Sequence, residues 1–454
     1  MIAPARRAAV AALIDLGAGR GDLPHAMARM RASLDDRRDG ALAAEIVAGT
    51  LRWQARLDAL IAGASERAVE AIAPPARAVL RAAVFQIDHL DRVPVHAVVH
   101  DAVEQVRDLR LPALAGFVNA VLRRIADPRR RPPLPPRPTA GEDRDGLVGY
   151  LSVVESHPPW LAGRWLDRDG FEQALATMRF NNERAPLTVR VHRSRMSRDA
   201  FIEAAAASGL AAEPCRYAPA GVILAANAHL DEVPALEGCY TIQDEGSQLV
   251  ACAVGAEAGH RVLDACAAPG GKSMAMAEAT GPGGLIVAAD YRAKRVALLA
   301  RTVAGQAPPI RVVRHDLGAG APFGPVFDRV LVDAPCSGLG TLRRDPDIKW
   351  TRREADLAEF SRRQRHLLAE ASTAVAPGGR LVYATCSSEP DENEAVVDAF
   401  LGDHAAFGRG PLPGWMSNAR PGQPALTNSR GELATHPARH GLEHFFAAVL
   451  IRRG

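Results

Sequence analysis

The chain has 454 residues, of which 48% are hydrophobic, and a formal net charge of +3. This length predicts roughly two to four domains with ordinary globular cores, and the small net charge excludes a strongly basic chain. No apolar stretch reaches the roughly 20 residues that a membrane-spanning helix needs. The six cysteines form no C-x-x-C pair, which argues against a zinc site. Without a signal peptide they predict a reducing, cytoplasmic environment rather than a disulfide framework.

The first 127 residues have the pattern of helices. Apolar residues recur at helical spacing, as in Ala43, Ile46, Val47 and Leu51, and no strand-like alternation appears. We therefore predict an all-α bundle over residues 1–127. The prolines and arginines that follow predict an extended linker over 128–147.

Two further segments follow the predicted linker. Residues 148–238 predict a small α/β subdomain, in which 186–191 and 221–224 are typical of strands and 197–207 of a helix. From 239 to 454 strands and helices alternate, which predicts an α/β Rossmann-like domain with a doubly wound sheet.

A glycine-rich turn, DACAAPGGK at 264–272, follows a predicted strand and precedes a predicted helix. We expect Gly270 and Gly271 to let the backbone approach a ligand closely, and the helix N-terminus to favour an anionic or polar group. The spacing excludes an ATP-binding P-loop, because that motif needs a glycine where this chain has Cys266.

Two acidic residues follow the next predicted strands. Asp290 ends the strand after the turn, at the distance that suits hydrogen bonds to ribose hydroxyls, and Asp316 follows the third strand. This pattern by itself fits either NAD or S-adenosylmethionine.

Cys336 and Cys386 lie just beyond two predicted strands, in DAPCSG and ATCSS. A cysteine is most often a small buried hydrophobic residue, and we interpret Cys215, Cys239 and Cys252 in that way. Two thiols at matching strand ends instead favour nucleophilic chemistry on an electrophilic ring, since a thiolate is a strong nucleophile.

Basic residues form two clusters whose charge suits contacts with phosphates. One lies near residue 127, where a solvated surface is an equally good interpretation, and the other follows Cys336 and is the better candidate for binding RNA. The second cluster comprises Arg343, Arg344, Lys349, Arg352 and Arg353.

The motifs at 264–272, 333–338 and 384–387 resemble those of the Sun family of RNA cytosine-C5 methyltransferases. QDEGS at 243–247 and DPDIKW at 345–350 add to the resemblance, which covers roughly residues 150–454. Residues 1–127 resemble a NusB-type helical RNA-binding domain. This fusion is similar to the bacterial members of the family that act on 16S ribosomal RNA.

The resemblance implies S-adenosylmethionine as cofactor, an RNA substrate, no metal and a monomer. It implies that Cys386 bonds C6 of cytosine and that Cys336 assists proton removal or release of the enzyme. Asp333 is also expected to face the base, and Lys272 to orient acidic groups, although a solvated lysine is its alternative. The expected cofactor-binding residues are Cys266, Ala267, Ala268, Pro269, Gly270, Gly271, Lys272, Asp290, Asp316 and Asp333.

Two alternatives stay open. One is a non-catalytic scaffold that binds RNA during ribosome assembly, and the other is the same chemistry on transfer RNA. The presence of both Cys336 and Cys386 argues against the scaffold, which needs neither thiol. The NusB-like segment favours ribosomal over transfer RNA through the resemblance alone.

Overall fold

The structure is a computed structural model that describes residues 2–139, 141–225, 228–306, 308–417 and 422–454. The chain forms two compact units, each from two segments. A helical unit comprises Met1–Glu183 and Leu342–Thr351, and a sheet unit comprises Arg184–Thr341 and Arg352–Gly454. In the described part of the chain, no helix is long and apolar enough to cross a membrane.

The helical unit confirms the predicted all-α bundle. Its helices bury alanine, leucine, isoleucine and valine side chains in one core, as the helical spacing of these residues requires. Several begin at an aspartate cap or at a proline in the first turn. The helices are α1 (Pro4–Gly17), α2 (Leu23–Ala32), α3 (Arg37–Arg52), α4 (Gln54–Ser65), α5 (Pro74–His89), α6 (Val95–Asp108), α7 (Ala115–Ala126), α8 (Arg144–Val154), α9 (Pro159–Asp169) and α10 (Phe171–Asn182).

The sheet unit begins with a small antiparallel sheet whose strand order is β2-β3-β1-β4. The predicted helix and both predicted strands of this segment are present, and Ser197 caps the helix by accepting a hydrogen bond from the Ala200 N–H. The elements are β1 (Leu187–Val191), α11 (Arg198–Ala207), β2 (Ala212–Pro214), β3 (Gly221–Leu224) and β4 (Tyr240–Ile242).

The second sheet has the strand order β10-β12-β9-β8-β5-β6-β7, with β11 paired to β12. Strands β5 to β9 are parallel, and the order runs outward from β5 in both directions, as in a doubly wound fold. Strand β12 is antiparallel to β9. The elements are α12 (Glu245–Ala253), β5 (Arg261–Asp264), α13 (Gly271–Thr280), β6 (Leu285–Asp290), α14 (Ala293–Thr302), β7 (Ile310–Arg314), β8 (Phe327–Asp333), α15 (Ile348–Thr351, in the helical unit), α16 (Asp356–Ser372), β9 (Val375–Thr385), α17 (Glu394–Asp403), β10 (Phe407–Arg409), α18 (Gly414–Ser417), β11 (Leu433–Ala434), α19 (Pro437–His440) and β12 (Phe446–Arg452).

The two units divide the chain differently from the four predicted segments. The division falls after Glu183, and α8 begins at Arg144, inside the segment predicted as a linker. Residues 342–351 also belong to the helical unit, which no local sequence pattern indicated. The segment boundaries 1–127, 128–147, 148–238 and 239–454 therefore stay predictions.

Lys349 corrects one part of the prediction that the second basic cluster contacts phosphates. Its side chain is 0% exposed, and its Nζ donates hydrogen bonds to the Arg52 carbonyl, the Ser156 carbonyl and Asn182 Oδ1. The three oxygens match the three N–H donors of the ammonium form, whereas burial opposes that form and lowers the pKa of the amine well below its usual range. Arg343 is also engaged within the helical unit, since its guanidinium stacks over Phe180. Lys349 is therefore a structural residue.

The buried amine of Lys349 gives a stability prediction. Lys349→Met keeps an unbranched side chain that is one heavy atom shorter but leaves three buried oxygens without their donor, at about 1–3 kcal/mol for each unsatisfied group. We expect the free energy of unfolding of the helical unit to fall by about 3 kcal/mol, measured by urea unfolding with tryptophan fluorescence. Lys294→Met, at an exposed position on α14, is the control. An unchanged urea midpoint for Lys349→Met would contradict this role.

Candidate active site

The predicted site residues meet at the carboxyl ends of the parallel strands. Asp264, Asp290 and Asp333 are the last residues of β5, β6 and β8. Cys386 directly follows β9, and Asp316 lies two residues beyond β7. Because these strands are neighbours in one sheet, residues distant in sequence lie along a single edge.

A cavity of about 660 Å³ lies at this edge. Its size suits a cofactor or substrate group, since small-molecule pockets span about 300–1,000 Å³. Six predicted residues contribute to its lining, which are Cys266, Asp290, Asp316, Asp333, Cys336 and Cys386.

The glycine-rich turn has a structural explanation for one of its glycines. Gly270 has φ +114°, a conformation that L side chains rarely adopt, and a Cβ there would lie 2.9 Å from Leu299 Cδ1. Ala267 and Ala268 pack in the same small core, whereas Pro269 is exposed. A Cβ on Gly271 would meet the Gln243 side chain at an ordinary 3.6 Å. The close approach of a ligand to the two glycines stays a prediction.

Lys272 forms an ion pair in the site and is not the solvated lysine that was the alternative prediction. Its Nζ lies 2.7 Å from Asp333 Oδ2. Burial opposes the charged amine, but the Asp333 carboxylate outweighs it and raises the pKa of Lys272. The pair holds the Asp333 carboxylate at the end of β8.

Asp264 is a further buried carboxyl group, which the sequence pattern did not identify as a site residue. It accepts a hydrogen bond of 2.6 Å from the Ser273 hydroxyl, while its Oδ1 has no hydrogen-bond partner among the described residues. Burial raises the pKa of Asp264 to about 7, and the nearby Asp333 adds to the shift. The sequence signal was its position at the end of the strand that leads into the turn.

Asp290 is held by a basic side chain of the next helix. It is 5% exposed, and Arg295 Nε lies 3.1 Å from its Oδ2. Arg295 also donates to the Ala268 carbonyl at 2.7 Å, which links the glycine-rich turn to the end of β6. Asp316 is exposed and caps a short turn by accepting from the Gly318 N–H.

The two thiols are in contact, with 3.3 Å between Cys336 Sγ and Cys386 Sγ. The hydrogen bond to Cys336, burial and the Asp333 charge raise the pKa of the Cys386 thiol well above its usual value. Burial and nearby carboxylates also raise the pKa of Cys266. Protonated thiols are therefore favoured at Cys266 and Cys386.

One wall of the cavity is aromatic and basic, and sequence reasoning missed most of it. The Arg352 guanidinium lies over the Phe360 ring, and that of Arg363 over the Tyr291 ring. Phe360, Arg363 and Leu367 all line the cavity from α16. Their spacing of three and four residues is the signal that placed them on one helix face.

The remaining cysteines lie in apolar surroundings. Cys215 and Cys252 belong to one core of the sheet unit, and Cys239 packs against the core of the small sheet. Among the residues that the structure describes, no group of three or more His, Cys, Asp or Glu side chains is arranged to hold a metal ion.

The raised pKa of Cys386 gives a prediction for its reactivity. Only the thiolate reacts with iodoacetamide, so we expect slow alkylation at pH 7 and a rise of about tenfold per pH unit, without a plateau below pH 9. Cys336→Ala removes the largest cause of the raised pKa and should speed alkylation of Cys386 at each pH. Mass spectrometry of the modified peptide measures both rates. A rate independent of pH over this range would contradict the shift.

Three family profiles match consecutive parts of the chain. The profile described as 16S rRNA methyltransferase RsmB/F matches residues 251–451. The NusB family matches residues 3–127, and the ferredoxin-like domain of RsmF/B-like methyltransferases matches residues 157–231. These matches agree with the all-α, small α/β and Rossmann-like order of the fold.

Relatives match over almost the whole chain. The ribosomal RNA small subunit methyltransferase B of Pseudomonas putida is 36% identical over 87% of this chain and 88% of its own length. The protein of that name from Vibrio cholerae is 32% identical over 99% and 97%. The crystal structure of PH0851 matches with a TM-score of 0.79 and 25% identity over 99% of each chain. The chain therefore belongs to the RsmB/F branch of the Sun family, the S-adenosylmethionine-dependent ribosomal RNA methyltransferases.

Proposed function

We propose that this enzyme methylates C5 of a cytosine in 16S ribosomal RNA through a covalent bond between Cys386 and C6. The observation that carries the proposal is the contact of two thiols in the wall of the cavity that Asp290 and Asp333 also line. The names of the relatives from Pseudomonas putida and Vibrio cholerae, which refer to small-subunit ribosomal RNA, support the choice of substrate.

The chemistry explains why a thiol is needed. Cytosine C5 is a poor nucleophile, and addition of the Cys386 thiolate to C6 turns C5 into the nucleophilic carbon of an enamine. S-adenosylmethionine, when bound, supplies the methyl group that C5 takes up. A base then removes the C5 proton, and the pair of electrons from the C5–H bond re-forms the C5–C6 double bond. The S–C6 bond breaks at the same stage and releases Cys386 as a thiolate. We assign Cys336 to this second stage, as an aid to proton removal or release.

The residues of the cavity fit a cationic cofactor that carries ribose. Asp264 lies beside the lining residue Ala265 rather than in the lining itself, and its buried Oδ1 has no partner among the described residues. We propose that Asp290 accepts hydrogen bonds from ribose hydroxyls. The lining carboxylates of Asp290, Asp316 and Asp333 favour a sulfonium charge. We propose that Asp316 and the turn 266–272 complete the cofactor site.

The alternatives are less well supported. A scaffold has no need of thiols at a cavity, and burial of both away from it would have favoured that alternative. Cys336 and Cys386 both line the cavity.

Bisulfite sequencing of ribosomal and transfer RNA from a deletion strain tests the substrate, since the proposal requires a lost 5-methylcytosine in 16S ribosomal RNA. We further propose that the enzyme acts as a cytoplasmic monomer.

Cys386→Ala tests the nucleophile. We expect methyl transfer to be abolished while S-adenosylmethionine binding stays near that of the wild type, because the thiol bonds the base and not the cofactor. Transfer of a radiolabelled methyl group and calorimetry measure the two properties. Cys239→Ala, outside the cavity, is the control and should keep both. Wild-type turnover by Cys386→Ala would refute the assignment.

Cys336→Ala tests the second stage. If Cys336 acts after methyl transfer, its loss should trap the RNA on Cys386. A denaturing gel should then show an RNA-dependent band of low mobility, which disappears in the Cys336→Ala/Cys386→Ala double variant. The absence of such a band would argue against this role of Cys336.

Asp290→Asn tests the ribose contact. Loss of the charge-assisted hydrogen bonds should weaken S-adenosylmethionine binding by about 1.5–3 kcal/mol, measured by calorimetry. Asp328→Asn is the matched control, since Asp328 accepts a hydrogen bond from the Arg261 N–H at the opposite ends of the strands. Equal affinity in the two variants would rule out Asp290 as the ribose ligand.

A further inference from the structure

Glu392 links the two loops that carry the thiols. We define the Cys336 loop as residues 334–341 and the Cys386 loop as residues 386–393, and Glu392 lies near the end of the latter. Its side chain is 0% exposed. Its Oε2 accepts one hydrogen bond from the Ser337 hydroxyl and one from the Ser387 hydroxyl, each at 2.5 Å. These two serines are the residues directly after the two cysteines.

The second oxygen of Glu392 binds the same region. Glu392 Oε1 accepts from the Ser337 N–H at 2.8 Å and from Gln364 Nε2 at 2.9 Å. Gln364 also donates to the carbonyl of Pro335, the residue just before Cys336. The carboxylate therefore receives four donors, which match its roughly four lone-pair sites. The residues on both sides of Cys336 are therefore held, Ser337 by Glu392 directly and Pro335 by Gln364, which is bound to Glu392.

The serine hydroxyls have little freedom to reorient. Ser387 Oγ accepts the Glu389 N–H at 3.1 Å, and Ser337 Oγ accepts the Leu339 N–H at 3.4 Å. The two hydroxyl oxygens also lie 3.2 Å from each other, but each lies only 2.5 Å from Glu392 Oε2, so the shorter contacts direct both protons to Glu392 and an acceptor is required there. A carboxylate meets all four donors, whereas an amide in the same place presents N–H groups to two of them.

One backbone contact also joins the loops, and it shows how close they lie. The Gly340 N–H donates to the Cys386 carbonyl at 2.9 Å, and a Cβ on Gly340 would lie 2.7 Å from that oxygen. This bond acts four residues from the Cys336 thiol. The contacts through Ser337 and Ser387 act one residue from each thiol.

We propose that Glu392 is a positioning residue, which holds the Cys336 and Cys386 thiols at their 3.3 Å separation so that both stages of methylation use one bound base. The inference rests on the proposed function of the two cysteines. Glu392 acts through Ser337 and Ser387 and has no direct role in bond making, since its lone pairs are occupied and its side chain is fully buried.

Glu392→Gln tests the proposal, with Glu245→Gln as a matched control. Glu245 is also a buried glutamate of the sheet unit, but it accepts from the N–H groups of Tyr217 and Ala218, outside both loops. Three properties are measured in each variant, namely the single-turnover rate of methyl transfer, the calorimetric affinity for S-adenosylmethionine and the hydrogen exchange of peptides from the two loops.

We expect the single-turnover rate of Glu392→Gln to fall by about 10- to 100-fold, because small displacements of reacting groups cost this much. Cofactor affinity should be unchanged, and amides of both loops should exchange faster. Glu245→Gln should keep the wild-type rate and the wild-type exchange in these loops. In the Cys336→Ala background, Glu392→Gln should also slow formation of the covalent RNA adduct.

Ser337→Ala/Ser387→Ala provides a second test that keeps the carboxylate, and it should lower the rate in the same way. Wild-type rates in both Glu392→Gln and the double serine variant would overturn the proposal. Parallel losses of rate, cofactor affinity and protection from hydrogen exchange in Glu392→Gln and Glu245→Gln would also overturn it, in favour of a general structural role. If Cys386→Ala kept its turnover, the proposed function would fail, and exchange in the two loops would decide whether Glu392 links them.

Discussion

The parallel pairing of β8 with β9 is the constraint on which the site depends. Asp333 pairs with Ala384 in this register, and neighbouring strands lie about 4.8 Å apart. Cys336 comes three residues after Asp333, and Cys386 comes two residues after Ala384, so both loops leave the sheet side by side. A change of this register would separate the thiols.

The electrostatics of the cavity follow from that crowding. Carboxyl and thiol groups share a partly dehydrated edge, so ionisation of each opposes ionisation of the others. Burial is the largest cause of the raised pKa values of Asp264 and Cys266, the hydrogen bond to Cys336 is the largest cause for Cys386, and nearby carboxylates add to all three shifts. A positive charge in the cavity favours the ionised forms, and Lys272 supplies one through its ion pair with Asp333. A cationic cofactor adds a second, so cofactor binding and thiol ionisation assist each other.

The sequence predicted those parts of the site that local pattern determines. Short apolar runs located the parallel strands, and the residues after them gave Asp290, Asp316 and both cysteines. The sequence did not predict that β9 begins as early as Val375, because Pro377 and the two glycines after it are typical of the end of a helix. In the structure these residues lie within β9, where its pairing with β8 is irregular. Glu392 was missed for another reason, since its function depends on serines 55 and 5 residues away in the chain.

The role of Lys349 also depends on residues that are distant in the chain, so it could not be predicted from local sequence. Sequence position suggested a phosphate contact, yet burial and three oxygen acceptors make the residue part of a core. The neighbouring Trp350 donates its indole N–H to the Leu51 carbonyl in the same unit. These contacts are why 342–351 belongs to the helical unit, although about 160 residues separate it from the rest of that unit. A cut at the proline-rich linker would separate Lys349 from the Arg52 carbonyl and Trp350 from the Leu51 carbonyl, while the contacts of Lys349 with Ser156 and Asn182 would stay. Buried polar contacts across the linker, and not only the composition of the linker, therefore bear on where this chain can be divided.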